Sequence, residues 1–137
     1  MRAKIWMYGF PMAGQTAERA RWIEDSGGDG LGVTDSQNLA GDPYAALSLA
    51  AHTTNQIGLG IAVTNPITRH PAVTASAIMT VQVESAGRAV LGMVGEIRRW
   101  RILDASMHRS PNFKRICNRC RAICGARRSL LTAMRVG

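Results

Sequence analysis

Two short runs of hydrogen-bonding side chains are the groups in this chain best placed for chemistry. Asp35-Ser36-Gln37-Asn38 is the first; Thr64-Asn65, followed by Arg69 and His70, is the second. Each run follows an apolar segment that reads as a strand. In parallel α/β folds, ligands bind at the carboxyl ends of strands, so these positions can hydrogen-bond a polar heterocycle or orient a substrate. Taken from position alone, the plainer reading is that Asp35 and Asn65 satisfy turn backbones. Two further histidine and arginine positions read as structural: His52 within an alanine-rich helix, and Arg88 as an ion-pair or capping residue. His70 before Pro71 reads as a loop residue.

Several other chemistries are excluded by missing motifs. Gly27-Gly28-Asp29-Gly30 follows a helix rather than a strand, so it is not a dinucleotide loop. The chain has no Walker motif and no Gly-x-Ser-x-Gly elbow. Cys117, Cys120 and Cys124, with His108, offer four soft ligands, but only the Cys117–Cys120 pair has regular zinc spacing. Metal ligation is therefore not expected.

The elements that position these groups follow from the apolar pattern. Ile5 to Phe10 reads as a first buried strand. Thr16 is expected to cap a helix from Ala17 to Asp25, which Gly27 and Gly28 end. Leu31 to Thr34 gives a second strand. Asp42-Pro43 opens a second helix reaching about Thr54, with an acceptor at the N-cap and proline in the first turn. Ile57 to Val63 is a third strand, whose Gly58 and Gly60 suggest a close approach of other atoms. A third helix starts at His70-Pro71 and runs to about Glu84, and Ala89 to Leu91 opens a fourth strand. Three strand–helix pairs and a fourth strand make a βαβ pattern with a parallel sheet. Spacing alone leaves a closed barrel and an open doubly wound sheet both possible.

Charge divides the chain of 137 residues in two. Residues 1–92 carry six basic and seven acidic side chains; residues 93–137 carry eleven basic and two acidic, for an overall +8. The basic surplus, which would suit an anionic partner such as nucleic acid, is thus confined to the tail. No apolar run approaches the roughly 20 residues that span a bilayer, and no signal peptide is apparent, so a cytoplasmic location is expected. The helix and strand periods stop after Gly92. The reading is two segments: 1–92, an α/β unit, and 93–137, an irregular basic tail holding all three cysteines.

The run from Trp22 to Gly92 resembles the luciferase-like monooxygenase superfamily, most closely its branch using the deazaflavin coenzyme F-420. The matching pieces are Glu24-Asp25-Ser26-Gly27-Gly28-Asp29-Gly30, Asp35-Ser36-Gln37-Asn38 and Asp42-Pro43-Tyr44. Further on come Ala50-Ala51-x-Thr53, Val63-Thr64-Asn65-Pro66-x-x-Arg69-His70-Pro71 and Ser85-x-Gly87-Arg88-x-x-Leu91-Gly92. The resemblance implies part of a (β/α)8 TIM barrel: three βα units and the fourth strand. It implies coenzyme F-420 or FMN as cofactor, with Asp35, Thr64 and Asn65 near the ring, a small-molecule substrate, and homo-oligomers among full-length relatives. A complete barrel needs about 250 residues, so the expectation is a truncated and inactive oxidoreductase. The alternative is a non-enzymatic nucleic-acid-binding protein acting through the tail. Back-translation gives the tail an origin. Read one base out of frame, Met93 to Asp104 permits I-G-R-G-D-S-A-L-A-H-L-G, and Cys120 to Leu131 permits P-R-Y-L-R-G-E-E-V-P-F. Both resemble the family's continuation, which points to one base missing near codon 93.

Overall fold

The computed structural model describes residues 2–93. The basic tail, its cysteines and His108, and the frame reading beyond Met93 lie outside the described residues. The elements alternate: β1 (Trp6–Gly9), α1 (Thr16–Asp25), β2 (Gly30–Val33), α2 (Pro43–Thr53), β3 (Gly58–Thr64), α3 (Pro71–Glu84) and β4 (Ala89–Met93). All seven expected elements are present, with boundaries moved by a residue or two.

One cap differs from expectation. Thr16 does not cap α1 from outside; it is the first helical residue, and Gln15 before it makes no side-chain cap. The Thr16 hydroxyl instead accepts from the Met12 N–H and donates to the Met12 carbonyl, both at 2.9 Å. A local turn through Pro11 and Gly14 brings Met12 within reach, and the hydroxyl serves that turn. The other two helices start as their sequences dictate. Asp42 accepts from the N–H groups of Tyr44 and Ala45, with proline following it. At α3, His70 Nδ1 accepts from the Ala72 N–H at 3.2 Å.

The four strands are parallel and lie in the order β1-β2-β3-β4. An open doubly wound sheet reverses its strand order at a switch point; this sheet does not, and successive addition on one side is the winding of a (β/α) barrel. The register assigns the two faces. Leu31 and Leu59 share one row, and Val33 and Ile61 the next. With Ala20 and Ile23 of α1, Leu47 and Ala50 of α2, and Ile78 and Val81 of α3, they form the buried core between sheet and helices.

The opposite face is built from two rings, Trp6 and Tyr8, laid over very small residues, with Tyr8 on Gly32. Trp6, Gly30 and Gly58 occupy one row of the register. A Cβ added at Gly30 would fall 2.4 Å from the Trp6 ring, and one at Gly58 2.6 Å. The indole lies across glycine backbone, which answers the close approach expected at Gly58 and Gly60. At the far end of β3 the register shifts between Ile61 and Thr64, and the Ala62–Val63 peptide there is cis.

Two partly exposed ties lock the end opposite the strand tips. Arg88, entering β4, donates to the carbonyls of Ala51, Thr54, Ile57 and Ser85 and to the Thr54 hydroxyl. The Glu24 carboxylate accepts from the N–H groups of Asn55, Gln56 and Ile57, closing the turn into β3. His52 pairs with Glu84 between α2 and α3. The structural readings of Arg88 and His52 hold.

Candidate functional site

Parallel winding places the ends of β2 and β3 side by side, and their next residues converge. Asp35, two residues past β2, is 5% exposed; Thr64, closing β3, is fully buried. The Thr64 hydroxyl donates to Asp35 Oδ2 at 2.5 Å. Gln37 Nε2 donates to the other carboxylate oxygen at 2.8 Å. Side chains rather than turn amides therefore satisfy this acid, so the turn reading of Asp35 is replaced by a buried, side-chain-bonded carboxylate.

Asn65 follows the turn reading. Its Oδ1 accepts from the N–H groups of Ile67 and Thr68, both at 3.0 Å, and from the Thr68 hydroxyl. Its oxygen is committed to its own loop, leaving the amide N–H groups as what it can present. His70 is spent on the α3 cap. Beside these, Asn38 takes a left-handed conformation at φ 63°, in a turn where the Ser36 carbonyl accepts from Leu39 and Ala40.

Arg69 and Tyr44 form the outer wall. The Arg69 guanidinium lies 4.8 Å from the Tyr44 ring centroid and donates to Asp42 Oδ2, so α2's cap and the β3–α3 loop are tied together. Burial works against the Asp42 carboxylate, but the Ala45 and Tyr44 amides and Arg69 outweigh it and hold its pKa below the usual range. Burial likewise opposes the Arg69 charge; Asp42, Asp35 and Tyr44 more than restore it, so its pKa lies above the ordinary arginine value. Desolvation pushes the Tyr44 phenol up, reinforced by the Asp35 charge and opposed by Thr64, Arg69 and Thr74.

The arrangement is a floor of fixed polar groups at the strand tips: a carboxylate with both oxygens engaged, the buried Asn65 amide, and the Thr34 hydroxyl, which is buried without a hydrogen-bond partner among the described residues. Such groups can orient a ligand but none is an activated nucleophile. Among the described residues no cluster of His, Cys, Asp and Glu could hold a metal ion, and no helix is long and apolar enough to cross a membrane. Sequence reasoning missed Tyr44 and Thr74 as neighbours of the pair. The one available signal was a tyrosine placed directly after the Asp42-Pro43 helix start.

Comparison with known proteins bears on this arrangement. The pattern that defines the luciferase-like monooxygenase family matches residues 7–98. The chain is 44% identical over 77 residues to 5,10-methylenetetrahydromethanopterin reductase of Methanolobus tindarius, covering 56% of this chain and 23% of that protein. The protein of the same description from Archaeoglobus fulgidus is 49% identical over 70 residues, covering 51% of this chain and 21% of that one. The chain therefore spans under a quarter of the length of these relatives. Among solved structures, the coenzyme F-420-dependent tetrahydromethanopterin reductase of Methanopyrus kandleri superposes with a TM-score of 0.65 at 33% identity, over 71% of this chain and 28% of that one. A monooxygenase of Streptomyces bottropensis shares the fold, with a TM-score of 0.60 at 20% identity, over 66% of this chain and 32% of that one.

Proposed function

The chain belongs to the luciferase-like monooxygenase family, and from that premise we propose that residues 2–93 form the ring-side wall of an oxidoreductase site for a deazaflavin, coenzyme F-420, with FMN as the alternative. The observation that carries the reading is the buried Asp35–Thr64 pair at adjacent strand tips. The residues present fit a polar tricyclic ring. The orphaned Thr34 hydroxyl and the Asn65 amide N–H groups, left over once Oδ1 is bound to its loop, are groups that a heterocycle's carbonyl and ring N–H edges would satisfy. The bound ring would supply the hydride chemistry. The protein's share is orientation: Asp35 is held by Thr64 and Gln37, and Asn65 is held by its loop, so neither pays ordering cost on binding. The relatives' descriptions make a small pterin-like molecule the substrate class to test.

Because the chain spans under a quarter of its relatives, binding rather than turnover is the proper measurement. Purified protein is titrated with coenzyme F-420 and, separately, FMN, following cofactor fluorescence. Saturable binding that Asp35→Ala weakens tenfold or more is the expected result. Absence of saturation with both cofactors would overturn the reading. The same reading makes residues 93–137 a stretch read out of frame, not a domain. Resequencing the locus tests that: an intact frame, with no base missing relative to its relatives, would sink it.

A further inference from the structure

Among the described residues the four-stranded sheet is covered on one side only. Helices α1, α2 and α3 all pack on the side of Leu31, Val33, Leu59 and Ile61. The other side is apolar. Trp6 lies over Gly30 and Gly58, Tyr8 lies over Gly32, and a Cβ added at Gly60 would meet Trp6 and Val90. Tyr8 is 64% exposed and Val90 48%. A contiguous apolar face of this kind marks an interaction surface.

The two edges of the sheet point the same way. Among the described residues β1 and β4 each pair on one side only, and an open strand edge is a template for another strand. Counting identifies what completes it. All four strands are parallel and add in order, and a barrel of this winding closes at eight. The first half of such a barrel takes Trp6 to Met93. A second half of like size is longer than residues 94–137, the part of this chain that follows.

A second copy of the chain supplies the missing half in number, direction and chemistry. It brings four parallel strands, a β1 edge for β4, a β4 edge for β1, and the same apolar face. A two-fold axis along the barrel makes the two joints identical, and closed two-fold pairs are the commonest oligomers. The side chains leave room for closure. On β2 and β3 this face is lined by glycines, and the rings from β1 lie down on the glycines of their own chain, so each copy fills its own half.

We propose that two copies of this chain associate through this face, β4 of each beside β1 of the other, and close an eight-stranded parallel barrel. The pairing concerns the sheet alone and is independent of the cofactor reading.

Sedimentation of the purified full chain, without cofactor and over a wide range of concentration, tests this. A dimer is expected, with a urea midpoint that rises with protein concentration. Tyr8→Lys and Val90→Lys each place a charge inside the closed barrel and should weaken dimerisation tenfold or more. Leu49→Lys, on the exposed side of α2, should leave it unchanged. Should the inner-face variants fail to fold, hydrogen exchange of the unaltered protein decides: amides of β1 and β4 should slow as concentration rises. A monomer at every concentration overturns the proposal and leaves residues 94–137 to cover the face. A dimer indifferent to both inner-face lysines, or exchange at β1 and β4 that ignores concentration, also overturns it. So does assembly beyond two copies, because a closed pair has no edge left to extend.

Discussion

Asp35 and Thr64 lie 29 residues apart in the chain, yet their side chains meet at 2.5 Å in a site closed to solvent. The contact exists because β2 and β3 are parallel neighbours: β2 ends at Val33 opposite Ile61, β3 runs on to Thr64, and the chain just past β2 carries Asp35 alongside that extension. Thr64→Val keeps the shape and removes the donor, leaving a buried carboxylate oxygen unmatched. A loss of about 1–3 kcal/mol is expected, read as a lower urea midpoint, with Thr64→Ser recovering part of it. An unchanged midpoint in Thr64→Val would show that the bond contributes nothing net.

Arg88 is expected to be the more sensitive position. It joins the end of α2, the turn into β3 and the end of α3 through four carbonyls and one hydroxyl. Arg88→Ala strands several of these acceptors and should cost at least about 2 kcal/mol. Lysine presents a compact ammonium in place of a planar fork, so Arg88→Lys should recover less than half. Thermal unfolding of the three proteins checks this, and full rescue by lysine would contradict it.

Glu24 makes stability depend on pH at the acid end. Desolvation raises its pKa, but the Gln56, Asn55 and Ile57 amides and the Arg88 charge prevail and lower it in the folded state. A depressed folded pKa means that the contribution is fully present above the unfolded value, about 4.3. It is lost as pH falls from there through the folded pKa. Glu24→Gln should therefore flatten part of the decline in melting temperature below about pH 4.3. Asp29 and Asp42, whose pKa values are also lowered, add to the slope that Glu24→Gln leaves. Parallel curves for the variant and the unaltered protein would refute the assignment.

The Trp6 ring and Gly30 make a paired test of the glycine-lined face. Gly30→Ala drives a Cβ to 2.4 Å from the indole, and the ring or strand must move. Overpacking of this kind typically costs about 1–3 kcal/mol. Trp6→Leu in the same chain should remove most of the conflict, so the double variant should be more stable than additivity predicts. Strict additivity in a double-mutant cycle would mean the two residues do not meet.

The order and type of the elements were legible in the sequence because each depends on local chemistry. Asp42-Pro43 starts α2 through one side chain and one fixed φ, and both are written in adjacent letters. Gly58 and Gly60 announced a close approach but not its author, since Trp6 reaches them from across two strands. Thr16 went the other way: its type suits a cap, but a turn at Met12 that no periodicity reveals claimed its hydroxyl.

By itself, then, the sequence determined a βαβ succession with polar residues after the second and third strands, because periodicity and capping act within a few residues. Only the tertiary structure decided that the strands add in the order of a barrel. It alone separated the candidates, committing Asn65 to its loop and His70 to a cap while joining Asp35 to Thr64. The physical reason is range. A cap or a turn is closed by neighbours in the chain, whereas a side chain's last free hydrogen bond goes to whatever the packing of distant elements brings within about 3 Å.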